Sequence, residues 1–119
     1  MNKKRTNPDF LNGIPALLIL RLLSRQPMYG YEIVQAIRQS TDQTLDFGEG
    51  CVYPILHRLE AHRLLLSRRE LANGRSRVVY RVTEKGTKKL AESVATWRQV
   101  VQAVNHVLHG GLHAQPAVS

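Results

Sequence analysis

Apolar residues follow two different periods along this chain of 119 residues, and the switch between them divides it into elements. From about Phe10 to Arg25, Leu11, Ile14, Leu17, Leu18, Leu20, Leu22 and Leu23 leave few polar positions, which predicts a largely buried first helix. Asn12 is the expected N-cap. That puts Pro15 in the first turn, where its missing N–H costs little, and Gln26-Pro27 stops the helix. A second helix is predicted from Tyr31 to Ser40 with Ile33, Ala36 and Ile37 inward and Val34 beside them. A polar connection follows from Ser40 to Gly50, pinned to the core by Phe47. A third helix is predicted from Cys51 to His62, with Val52, Ile55, Leu56 and Leu59 as its apolar stripe and Pro54 at the edge of its first turn. Its other face carries Cys51, Tyr53, His57 and Arg58.

The period then changes. Leu64–Leu71 and Arg77–Thr83 read as two short strands around Asn73-Gly74, a pair suited to the positive φ angles of a hairpin turn. Alternation assigns Val78, Tyr80 and Val82 to the core and Arg77, Val79 and Arg81 to the opposite face. Thr83 is the expected cap of a long last helix, Glu84 to His109. In it Leu90, Val94, Trp97, Val101, Val104 and Leu108 form a heptad-like seam, and Val100, Ala103 and Val107 add a second stripe. One stripe can pack on the chain's own first helix; the other needs a partner. Gly110-Gly111 ends the helix.

The fold class expected is therefore mainly α with a small β-hairpin: a winged helix-turn-helix followed by a long C-terminal dimerisation helix. The divisions expected are a flexible basic arm (1–9), a winged helix-turn-helix domain (10–83), the dimerisation helix (84–109) and a disordered tail (110–119). No repeat or second domain is visible, as suits the length.

Charge sharpens this picture. The formal net charge is +8, and it is concentrated. Six basic and five acidic residues lie between Met1 and His57, ten and three between Arg58 and Lys89, and one of each beyond. Arg58 and Arg63 fall on the third helix, Arg68, Arg69, Arg75, Arg77 and Arg81 on the hairpin, and Lys85, Lys88 and Lys89 at the start of the last helix. In this element order the third helix can enter a major groove while the hairpin reaches the flanking backbone. Arginine's fork suits phosphate and guanine. Duplex DNA is the expected partner. A protein-interaction module would not need arginines gathered here, and an RNA binder would show more exposed aromatics than seven Phe, Trp and Tyr residues supply. The residues expected at DNA are Tyr29, Gly30, Gly50, Cys51, Tyr53, Pro54, His57, Arg58, Asn73, Gly74, Arg75 and Arg77. Lys3, Lys4 and Arg5 are candidate phosphate contacts from the arm.

Other chemistries find little support. Cys51 and His57 are six apart and do not share a helix face, and no Ser-His-Asp set, phosphate loop or carboxylate pair occurs, so no enzyme is expected. His106, His109 and His113 have metal-like spacing, but Gly110-Gly111 intervenes and no Cys or carboxylate is near; neither metal nor cofactor is expected. The single cysteine precludes an intrachain disulfide and fits a reducing compartment. Lys3-Lys4-Arg5 before Ile14–Leu20 superficially resembles a signal peptide. Arg21 interrupts that run, which is too short to span a bilayer, so a cytoplasmic protein with no membrane association is expected. Cys51, at a helix N-terminus near basic residues, is a candidate redox switch.

Three segments resemble one known family. Pro27-Met28-Tyr29-Gly30-Tyr31-Glu32 is similar to the "P-x-x-G-Y-E" of PadR-like transcriptional regulators. Gly50 to Glu60 is similar to their recognition helix, "G-T-x-Y-P-x-L-x-R-L-E". Tyr80 to Gly86 is similar to their "Y-x-[LV]-T-x-x-G" link, and Trp97 with Ala103-Val104-Asn105 fits their final helix. The resemblance runs from about Leu17 to Leu108 and suits the short subgroup with a single C-terminal helix. It implies a homodimer built from the last helix and helix one. It also implies an inverted-repeat operator, usually repressed, and release by a small, often aromatic or cationic, molecule or by a stress signal. Trp97 is the candidate effector contact. Leu90, Val94, Trp97, Val101, Val104 and Leu108 are the expected dimer interface. Two positions depart from the pattern: Gly48 and Glu49 stand where the family usually has Ser/Thr-Pro, and Cys51 where it has Thr or another small residue.

Overall fold

The computed structural model describes residues 13–110. The basic arm, the expected cap Asn12 and most of the tail lie outside the described residues. Helix α1 spans Ile14–Leu23, shorter than the sequence suggests at both ends, and its N-cap position is held by Gly13 at φ 96°. Ser24 closes it, its hydroxyl donating to the Arg21 carbonyl at 2.6 Å. The chain runs on through a two-residue strand β1 (Met28–Tyr29), α2 (Gly30–Ser40), α3 (Glu49–Ala61), β2 (Leu65–Ala72), β3 (Arg75–Val82) and α4 (Glu84–Leu108).

β1 adds a third strand to the expected hairpin. The sheet has three antiparallel strands in the order β1-β3-β2, with Met28 opposite Tyr80 and Tyr29 opposite Val79. β3 is thus the central strand, and the face opposite Val78, Tyr80 and Val82 is not open throughout. Val79 is 6% exposed, sitting between Tyr29 and Arg68 in register. Alternation still sends Val79 to the face opposite Tyr80, but Tyr29 and Arg68, directly opposite it on the two flanking strands, share that face and shield it. Asn73 and Gly74 both take positive φ, 53° and 77°, as the sequence predicts for a tight turn joining β2 to β3.

The core sits where α1, α2 and α3 meet the sheet. Ile19, Leu20 and Leu23 pack with Ile33, Val34 and Ile37, with Val52, Leu56 and Leu59, and with Leu65 and Tyr80. Phe47 is buried among them, which pins the α2–α3 connection. Thr41 braces the same connection: its hydroxyl donates to the Ile37 carbonyl at 2.7 Å and accepts the Leu45 N–H at 3.0 Å. Burying each such side chain contributes about 1.5–3 kcal/mol, so this cluster dominates the stability of the head.

α3 starts at Glu49, two residues before the expected Cys51, which places Pro54 sixth in the helix instead of at its edge. The pyrrolidine leaves the Gly50 carbonyl without its helical donor. Gly50 is exposed, so water can reach that oxygen. At the other end Arg63 lies beyond α3 in the left-handed region, φ 64°. Leu64 N–H donates to Leu59 C=O and Arg63 N–H to Glu60 C=O, both at 2.9 Å, the paired bonds of a Schellman stop.

α4 is bolted to this stop. Thr83 caps α4 by accepting the Gly86 N–H at 2.9 Å, and the same hydroxyl donates to the Arg63 carbonyl at 2.8 Å. The Lys85 ammonium donates to the His62 carbonyl at 3.0 Å. A Cβ on Gly86 would collide with the Leu64 carbonyl oxygen, so only glycine lets the two backbones meet. Leu90, 5% exposed, then joins the core, and Val94 packs against it. None of the described helices is long and apolar enough to cross a membrane.

Candidate nucleic-acid interface

The exposed face of α3 and the β2–β3 wing flank a concavity of about 500 Å³. Its walls bring together six of the twelve residues expected at DNA: Tyr29, Gly30, Tyr53, His57, Arg75 and Arg77. Arg58 and Pro54 are exposed elsewhere on α3, Gly50 is exposed at its start, and Asn73 and Gly74 are exposed at the wing tip. Cys51 is half-buried in the first turn of α3, packed against the core. Tyr31, Ser76, Val78 and Tyr80 also line the concavity. No Asp or Glu is among its lining residues, although the Glu32 carboxylate on the Tyr29 N–H and Glu49 near Tyr53 stand just behind them.

Each wall has a local cause. The chain enters α2 directly from β1, and the Glu32 carboxylate accepts the Tyr29 N–H at 2.8 Å, satisfying one donor at the helix entrance. Gly30 is buried because the Tyr53 ring lies on it; a Cβ there would come within 2.5 Å of the Tyr53 hydroxyl oxygen. Tyr53 is therefore half-buried and forms the floor between α2 and α3 instead of standing free in a groove. Burial, with the Glu49 carboxylate, pushes its hydroxyl above the usual tyrosine range. Burial likewise raises Tyr80, helped by Glu60 and by Tyr53. Both phenols stay protonated at neutral pH and act as hydrogen-bond groups, not charges.

The arginines differ in how they are held. Arg68 pairs with Glu70 at 2.9 Å, and Arg69 donates to the Ser76 hydroxyl at 3.3 Å. Arg77 donates from Nη1 to the Tyr31 hydroxyl at 2.7 Å and lies over the rings of Tyr29 and Tyr31, 5.6 and 5.2 Å from their centroids. Those two rings stack at 5.9 Å with 19° between their planes. Sequence reading missed Tyr31, which sits 46 residues from the arginine it holds. No local signal marks it, because only the pairing of β1 with β3 brings Tyr29, and with it Tyr31, beside the wing. Arg58 and Arg75 are exposed and make no ion pair with another described residue.

A second concavity, about 670 Å³, lies between α1 and α4. Ile14, Leu17, Trp97, Val100 and Val104 line it, with Lys89 and Glu92 at its edge. The expected dimer seam is thereby divided. Leu90 is consumed by the chain's own core and Val94 lies against it, whereas Trp97, Val104 and Leu108 are exposed and Val101 is half-exposed. His106 and His109 lie at the exposed end of α4 and His113 outside the described residues; no group of three metal-ligating side chains occurs among the described residues.

Three helices, a wing and a long C-terminal helix define the winged helix-turn-helix class. Comparison with known proteins takes this further. Residues 19–92 match the model of the transcriptional regulator PadR-like family, and the chain belongs to that family. A transcriptional regulator from Clostridium thermocellum superposes with a TM-score of 0.76 at 30% identity, covering 82% of this chain and 95% of that one. A PadR-like transcription factor from Bacteroides fragilis superposes at 0.69 with 31% identity, covering 83% and 94%. Transcriptional regulator Rv3488 of Mycobacterium tuberculosis is 42% identical over 64 residues, 54% of this chain and 57% of that protein. The protein is thus a DNA-binding transcriptional regulator and not an enzyme.

Proposed function

We propose that the chain works as a homodimeric repressor that binds an inverted-repeat operator and is released by a small ligand or a stress signal. The observation that carries the DNA contact is the carboxylate-free concavity between α3 and the wing, edged by His57 and Arg75. In this reading α3 lies in the major groove with Tyr53 at its base and His57 and Arg58 toward base edges, while Arg75 beside Asn73-Gly74 meets a phosphate. Tyr29 and Gly30 approach the sugar-phosphate backbone from the α2 entrance. Two such heads related by a two-fold axis would read half-sites about one helical turn apart.

The exposed stripe of α4 supports the dimer. Trp97 is 42% exposed and Val107 82%, an unusual display for a single chain. The groove beside Trp97, about 670 Å³, has the volume for a flat aromatic molecule, with Lys89 and Glu92 both at its edge.

Fluorescence anisotropy with the duplex just upstream of the protein's own coding region, against random duplex of equal length over a salt series, tests the operator reading. Tight, selective binding with a steep salt slope is expected. Arg75→Ala should weaken binding to all duplexes alike and lower the slope by about one. Weak binding, equal for both duplexes, would remove the operator reading.

A further inference from the structure

We infer that Arg77 is not primarily a phosphate contact but, with Tyr31, a strap that fixes the wing to the entrance of α2. β1 pairs with β3 at only two positions, Met28 with Tyr80 and Tyr29 with Val79. Continued two residues further, the same antiparallel register sets position 31 opposite position 77. There the chain has already turned into α2, so no backbone ladder can form. The side chains make the link instead: Nη1 of Arg77 donates to the Tyr31 hydroxyl at 2.7 Å, and its guanidinium lies on the stacked Tyr29 and Tyr31 rings.

Beyond this strap the wing has support on one side alone. Ser76 and Arg75 pair with Leu71 and Ala72 of β2, and among the described residues nothing on the β1 side pairs with them. Arg75 lies two residues from Arg77 on the same face of β3. The direction in which Arg75 leaves the sheet therefore depends on where Arg77 is held. Arg77 also differs from its neighbours in what holds it. Glu70 lies opposite it in register, yet the Glu70 carboxylate pairs with Arg68. A half-buried guanidinium held by a hydroxyl and two π faces keeps its charge while losing its freedom.

This assignment rests on the DNA-binding reading for its consequence, but not for its geometry, so its test has two arms. The first is hydrogen exchange of residues 75–78 in the full-length protein without DNA. Tyr31→Ala and Arg77→Lys should each speed exchange there and leave the amides of α3 as they were. The second is operator anisotropy over the same salt series. Each variant should lose about tenfold in affinity with its salt slope unchanged, and the double variant should lose no more than either alone. Arg77→Lys preserves the charge, so an unchanged slope with a lost strap separates positioning from phosphate neutralisation. Wild-type exchange in both variants would overturn the strap. So would wild-type affinity in Tyr31→Ala alongside a slope lowered by about one in Arg77→Ala. If no duplex binds the wild type selectively, the operator reading fails, and the exchange arm alone still decides for or against the strap.

Discussion

The head of the molecule and the far part of α4 use the same kinds of residue to opposite ends. In the head, Ile, Leu and Val from three helices and the sheet close on one another, and Ile19, Ile33, Val52, Leu56 and Leu65 are fully buried. In α4 only Gly86 and Leu90 are buried, although the helix runs for 25 residues, about 37 Å. Past Val94 its apolar side chains face outward: Trp97, Val100, Val104, Val107 and Leu108 are all exposed. The head is a finished core within one chain. The far part of α4 is an amphipathic surface whose apolar side, among the described residues, is left largely exposed beside the groove it shares with α1. Helices take most of their stability from packing an apolar face, so the contrast locates where a partner would contribute.

Two substitutions set these regions against each other. Leu56→Ala empties space at the centre of the head and should lower unfolding stability by about 2–5 kcal/mol in urea titration. A loss below about 1 kcal/mol would mean that the head core is less tightly packed than its burial implies. Val104→Asp puts a charge on the exposed stripe of α4. The head should keep its far-UV circular dichroism, while sedimentation equilibrium shifts from dimer to monomer. Operator affinity should then fall about hundredfold, because two tethered heads become one. A Val104→Asp protein that stays dimeric with wild-type affinity would break the comparison, since the stripe would then have no partner to lose.

The contrast also separates what could be read in the chain from what could not. Local signals were legible. Asn73-Gly74 specifies its own turn, Thr83 its own cap, and the heptad spacing from Leu90 to Leu108 its own helix, because each needs only residues a few positions away. Non-local facts were not. Met28-Tyr29 is too short for a strand signal and becomes one only against Tyr80 and Val79, some fifty residues on. That single pairing makes β3 central, buries Val79 and brings Tyr31 to Arg77. The split of the seam was hidden for the same reason. Leu90 and Leu108 look alike in a periodicity, and only the packing of α1 against the start of α4 distinguishes them. Within the candidate site, the basic composition of the wing was readable, but which arginine is held and which is free was not.

The smallest effect falls at the joint between the two regions. Arg63 ends α3 at φ 64°, a conformation that costs a side-chain-bearing residue about 1–2 kcal/mol. Glycine removes that strain but adds about 0.5–1 kcal/mol of backbone entropy to be lost on folding. Arg63→Gly should therefore stabilise by up to about 1 kcal/mol, read from the urea midpoint at a single protein concentration. The Arg63 carbonyl that accepts the Thr83 hydroxyl is retained, so α4 keeps its attachment to the end of α3. The substitution also removes one exposed cation, and this gives the same variant a second use. An unchanged salt slope on the operator would place Arg63 outside the DNA contact, making it a structural stop between reading helix and long helix. A slope lowered by about one would extend the phosphate-binding surface past α3 to the joint itself.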